Sequence, residues 1–218
     1  MTKTDLQLKQ DVDDELRWDP KVNAAQIGVS VEAGAVCLKG EVDSYADKWA
    51  AEDAAKRVSG VRAVAENLRV KVLELHGHTD MEIAEAALGA LKWDVWVPKT
   101  VTVKVEQGKL TLAGAVEWNY QRNSAERAVR NLAGVVDVFN SISIKAGASV
   151  GQVQEKVHAA LKRQATADAN TIHVGTSGGT VTLSGNASSW HAIKDARDAA
   201  WAAPGVTQVV ENVTISGL

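Results

Sequence analysis

The stretch "HGHTD" at 76–80 sets His76, His78 and Asp80 within one short segment. Two imidazoles and a carboxylate are donors that a divalent zinc-like ion accepts. No fourth ligand stands at a matching spacing, so this is a weak candidate metal site, and the expectation is a chain with no metal and no cofactor. Cys37 is the sole cysteine. A thiol nucleophile needs a base beside it to form its thiolate, and no histidine stands at a recognisable spacing from Cys37. His158, His173 and His191 fall at unrelated positions. P-loop and dinucleotide fingerprints are missing, and the sequence predicts no catalytic residue and no enzyme.

Tryptophan is the more promising chemistry. The chain has seven Trp and one Phe, and "LRWDP" (16–20) is echoed by "LKWDVWVP" (91–98). An indole ring, apolar with one polar tip, suits a core, a membrane interface or a protein contact. The elements that carry these rings decide between those uses.

The elements come in three copies. "GAVCLKGEV" (34–42), "GKLTLAGAV" (108–116) and "GTVTLSGNA" (179–187) superpose at constant offsets, and the same offsets align "GVRAVAENLRV", "GVVDVFNSISI" and "GVTQVVENVTI". Two motifs keeping one spacing identify a repeat, which divides the chain into units 1–74, 75–146 and 147–218.

Within each unit the apolar period changes in a fixed order. Leu8, Val12 and Leu16, then Ile83, Ala87 and Leu91, then Val153, Val157 and Leu161 mark a first helix. Alternating Ile27, Val29 and Val31, with their counterparts, mark a strand that turns into a second. An Ala-rich stripe follows (Ala51, Ala54, Ala55 and Val58 in the first unit), marking a second helix that lies close to the sheet. Ser44, three residues before Asp47, is its expected N-cap. A last strand ends each unit. Nine glycines are expected at structural turns: Gly34, Gly40, Gly60, Gly108, Gly114, Gly134, Gly179, Gly185 and Gly205. The predicted class is α+β, three tandem αββαβ domains, each a three-stranded mixed sheet with two helices on one face and an open polar face that includes Cys37.

Placed on this frame, Trp18 and Trp93 close helix one at equivalent positions. The default expectation is a lid packed over the sheet edge, and the alternative is a lipid or partner interface. Trp96 has no aromatic counterpart and suits core and interface equally. Trp49 aligns with Asn123 and Lys194, and Trp201 with Lys56 and Arg130. A Trp where sister repeats carry polar or charged residues predicts burial against another unit or another copy. Trp118 and Trp190, at the helix-two entrances, are expected as staples.

A net charge of −3 with pI near 6.0 argues against nucleic acid as a partner. The acidic surplus falls in the first unit, leaving the second neutral and the better candidate to face a membrane. The opening "MTKTDLQLKQ" lacks the basic start and apolar run of a secretory signal, so as written the chain is expected in the cytoplasm. No run approaches the length of a spanning helix.

The αββαβ unit, the "DP" after helix one, "G-x-V-x-L-x-G-x-V" across the hairpin and "GV…V-x-N" before the last strand together resemble the BON domain, named for bacterial osmotically inducible and nodulation-related proteins. The third unit departs from it, with "LKRQATADAN" (161–170) in place of the Trp-Asp stretch and "NA" at 186–187. The resemblance implies a non-enzymatic protein that protects against osmotic or envelope stress by binding phospholipid or another envelope component. It also implies a periplasmic or envelope location if a leader has been removed. On this reading Trp93, Trp96 and Trp18 face lipid or a partner. The alternative is a homo-oligomeric assembly with a transport or permeability role, joined through Trp49 and Trp201. A metal-responsive binder using His76 and His78 is third.

Overall fold

The structure, a computed structural model, describes residues 3–71, 77–145, 157, 159 and 171–215. The first unit opens with α1 (Asp5–Trp18), capped by Thr4. The Thr4 hydroxyl accepts from the Gln7 N–H and the Gln7 carboxamide accepts from the Thr4 N–H, which satisfies donors that the first turn leaves without carbonyl partners. Thr79 and Glu82 repeat this box at α3 (Asp80–Trp93) of the second unit. Leu8, Val12 and Leu16 are buried on α1, and Ile83, Ala87 and Leu91 on α3, as the spacing of four requires. In the third unit Val157 is helical and buried, while Val153, His158 and Leu161 lie outside the described residues.

Strands β1 (Ile27–Glu32) and β2 (Ala35–Val42) form an antiparallel hairpin. The chain then crosses through α2 (Tyr45–Arg57) to β3 (Ala63–Val70), which pairs parallel with β2. The second unit repeats this with β4 (Thr102–Glu106), β5 (Lys109–Val116), α4 (Asn119–Arg130) and β6 (Asp137–Ile144). In the third are β7 (Ile172–Ser177), β8 (Thr180–Ala187), α5 (Trp190–Trp201) and β9 (Gln208–Ile215). Each sheet is mixed and three-stranded with its hairpin's second strand central. Because α2 supplies Ala51, Ala54 and Ala55, all fully buried, the helix can lie close to the sheet and the parallel crossover stays short.

Two glycine positions are set by geometry. Ala33 and Gly34 at the first hairpin, and Gln107 and Gly108 at the second, have φ of 48° and 79°, and 52° and 72°, as a tight hairpin turn of primed type demands. In the third unit Gly178 takes the first of these positions with φ 57°. Gly40, Gly114 and Gly185 lie inside the central strands rather than in turns. A Cβ there would stand 1.9, 2.3 and 2.1 Å from the carbonyl oxygens of Gln26, Thr100 and Thr171, so the segment entering the hairpin can cross only over a glycine.

Strand register places Cys37 opposite Ser30 and Ala65, on the open face, where the Asn67 carboxamide donates to its sulfur at 3.6 Å. One polar residue per unit goes the other way. Glu66, Asn140 and Glu211 share strand parity with the buried positions and bind helix two: Glu66 to Lys48 at 3.0 Å, Asn140 to Glu126 at 2.9 Å, and Glu211 to Arg197 at 3.3 Å. These pairs tie the last strand to the crossover helix, and the alternation pattern alone did not reveal them.

Candidate functional site

The end of α3 and the loop after it form a tip on the second unit. Asp94 caps the helix, and its side chain accepts from the Trp96 N–H at 2.9 Å, folding residues 94–96 back in a tight turn. That turn throws side chains outward. Trp93 is 86% exposed, Val95 87%, Trp96 57% and the neighbouring Tyr120 of α4 47%. Trp96 and Tyr120 meet edge to face, ring centres 5.5 Å apart, which fixes the two rings relative to one another. Lys92 and Lys99 flank the tip and are exposed.

Trp18 is 83% exposed. The expected lid over the sheet edge is therefore corrected for both Trp18 and Trp93: each ring stands two residues, about 200° of helix turn, beyond the buried Leu16 or Leu91 and so points away from the face that packs on the sheet. Around Trp18 stand Asp11, Asp14 and Glu15, so the first unit's tip is acidic where the second unit's is basic. Asp19 is also held by Arg57 at 2.7 Å, and its carboxyl lies below the usual range because of that hydrogen bond and the Lys21 N–H.

The residues of the weak metal candidate have other work or lie elsewhere. The Asp80 carboxylate accepts from the Gln107 and Gly108 N–H groups, both at 2.8 Å, and so clamps the hairpin turn onto helix one. Asp5 does the same for Ala33 and Gly34 at 2.8 and 3.0 Å. His78 is exposed, and His76 lies outside the described residues.

The units meet through their second helices. Trp49 of α2 has the Arg130 guanidinium of α4 stacked on its ring, 3.7 Å from the centre. Tyr45, also on α2, packs against the second unit's core. There burial, and after it the charges of Glu126 and Asp137, push its hydroxyl pKa up to about 12. Trp190 is the first residue of α5, following the Ser189 cap. Instead of stapling its own helix it packs against the cores of both the third and the first unit. Trp201 packs against the core of its own unit, and Trp118 is half-buried at the start of α4. Sequence reasoning missed Tyr45 and Arg130, because nothing in either residue type distinguishes an inter-unit contact from a solvated surface.

Among the described residues no helix is long and apolar enough to cross a membrane. A solved structural protein of the type III secretion system of Chlamydia trachomatis, CdsD, is 17% identical over 96% of this chain and 92% of its own, with a TM-score of 0.26. The C-terminal domain of CdsD is 16% identical over 99% and 100%, TM-score 0.27, and the PrgH periplasmic domain is 12% identical over 87% and 95%, TM-score 0.22. No curated protein matches the chain. The sequence model of the BON domain family matches residues 4–72, 79–146 and 149–217, so that this chain, in three successive units, belongs to the BON domain family.

Proposed function

We propose that this chain is an envelope-attachment protein that protects against osmotic or envelope stress by seating the tip of its second unit in a phospholipid surface. The BON family is not a family of enzymes, and the residue chemistry above supplies no nucleophile–base pair. The observation that supports the reading is the cluster of exposed side chains at one tip: Trp93, Val95 and Trp96 at and after the end of α3, with Tyr120 of α4 against Trp96. Seven of the ten exposed large apolar side chains among the described residues belong to the second unit, which makes the surface uneven rather than uniformly greasy.

A soluble domain gains nothing by holding two indoles in water. Sinking roughly 150 Å² of each ring into an apolar phase contributes about 4 kcal/mol per ring before ordering costs. Indole and phenol rings favour the headgroup depth of a bilayer, where Lys92 and Lys99 would reach anionic headgroups. The location this requires, periplasmic or otherwise at the envelope, is part of the proposal.

Flotation of the purified protein with neutral and with phosphatidylglycerol-containing vesicles, at low and high salt, tests it. The Trp93→Ser/Trp96→Ser variant, checked for native circular dichroism, is the comparison. Flotation that survives high salt and is lost in the folded variant is the expected result. A parent protein that stays with the soluble fraction in every vesicle composition overturns the reading.

A further inference from the structure

Tyr45, Asn119 and Trp190 are the first residues of the three second helices and occupy one position of the repeat. Two of them leave their own unit: Tyr45 of the first packs against the core of the second, and Trp190 of the third packs against the core of the first. Both junctions run in one sense, the first turn of helix two entering the unit that comes next, three into one and one into two. A head-to-tail contact of this kind, repeated, closes into a ring or propagates without end. The first turn left over is that of α4, and the unit left to receive one is the third. Asn119 is only 8% exposed; with Ser124, also on α4, it makes up the buried polar side chains of the described residues. A carboxamide at the start of a surface helix is covered in this way only if something is seated over it.

We infer that the three units close on themselves as a pseudo-three-fold ring, with the first turn of α4 docked on the third unit, so that each unit gives one first turn and receives one. The Trp positions fit this closure. At the junction of units one and two, Trp49 meets Arg130. The repeat-equivalent pair at the closing junction is Asn123 with Trp201, the indole now supplied by the other partner. At the junction of units three and one the pair is Lys194 with Lys56, and there the indole is the plugging Trp190. Each junction thus carries a tryptophan, drawn from a different position. A rotation about one axis keeps equivalent residues at one height, which brings Trp18 and Trp93 to the same side; resting on the proposed function, both tips then address one lipid surface.

The test uses the full chain with Cys37→Ser, so that the exposed Asn123→Cys is the sole thiol, labelled with bimane, a fluorophore that tryptophan quenches on contact. The ring predicts quenching in the presence of Trp201, recovery of emission in the Trp201→Phe variant, and no change on dilution. Emission that is the same with Trp201 or Phe overturns the closure. Quenching that disappears on dilution overturns it too, because the α4 turn then docks on a second copy. Small-angle scattering of the unsubstituted chain keeps the inference falsifiable if a variant misfolds: a compact three-lobed particle is expected, and an elongated string of units overturns it. Neither readout involves vesicles, so a protein that fails to float can still form the ring, and an open chain can still float.

Discussion

The Arg130 guanidinium lies 3.7 Å from the centre of the Trp49 ring, so the last turn of α4 is fastened to α2 of the preceding unit. The contact links positions at which the repeats otherwise carry Asn, Lys or Trp, and it converts two solvated surface residues into a junction. Arg130→Ala removes a cation–π contact of about 1 kcal/mol and the apolar cover of the guanidinium stem. Trp49→Ala costs more, roughly 2–3 kcal/mol, because ring burial goes as well. Urea unfolding of both variants and of the double variant measures the coupling, and a coupling energy near zero contradicts the contact.

Tyr45 makes the same junction sensitive to alkali. Its hydroxyl pKa is raised to about 12 by burial, above the ordinary value near 10, so its contribution is complete below that ordinary value and fades as pH climbs towards the raised one. Thermal melts across this range should show a fall in stability that Tyr45→Phe reduces. An identical alkaline fall in the variant would assign the sensitivity elsewhere.

Gly40 and Gly89 predict opposite signs for one chemical change. Gly40→Ala drives a methyl into the Gln26 carbonyl, 1.9 Å away, at a φ of 138°, and should cost 3 kcal/mol or more by the sum of clash and backbone strain. Gly89 sits in α3 with nothing within 4 Å of an added Cβ. Gly89→Ala should stabilise by about 0.5–1 kcal/mol through helix propensity. Paired melting curves decide both.

Asp80→Ala frees the turn N–H groups of Gln107 and Gly108 and removes a favourable charge from the first turn of α3. A loss of about 1–2 kcal/mol is expected, with the same sign for Asp5→Ala in the first unit. Amide exchange at residues 107 and 108 should accelerate in Asp80→Ala beyond what the global loss explains.

Much of this was legible in the sequence because it is local. The helix periods of Leu8, Val12 and Leu16, the alternation through Val36 and Leu38, and the Ser44 cap are fixed by neighbours a few residues apart, and three copies repeat each signal. The open-face placement of Cys37 followed from strand parity. By contrast, Trp18 and Trp93 stand two residues beyond the buried Leu16 and Leu91, on the solvent side of their helices, where residue type alone favoured packing. The pairing of Glu66 with Lys48 of the crossover helix joins residues of different elements, which no local period reveals. The sequence by itself thus determined the three αββαβ units, their mixed sheets and their family. Only the tertiary structure decided that Trp49 and Tyr45 are spent between units while Trp93 and Trp96 stay in water. The physical reason is range: hydrophobic period and capping act within a turn or a strand, whereas whether an apolar ring is covered depends on surfaces brought together from residues far apart in the chain.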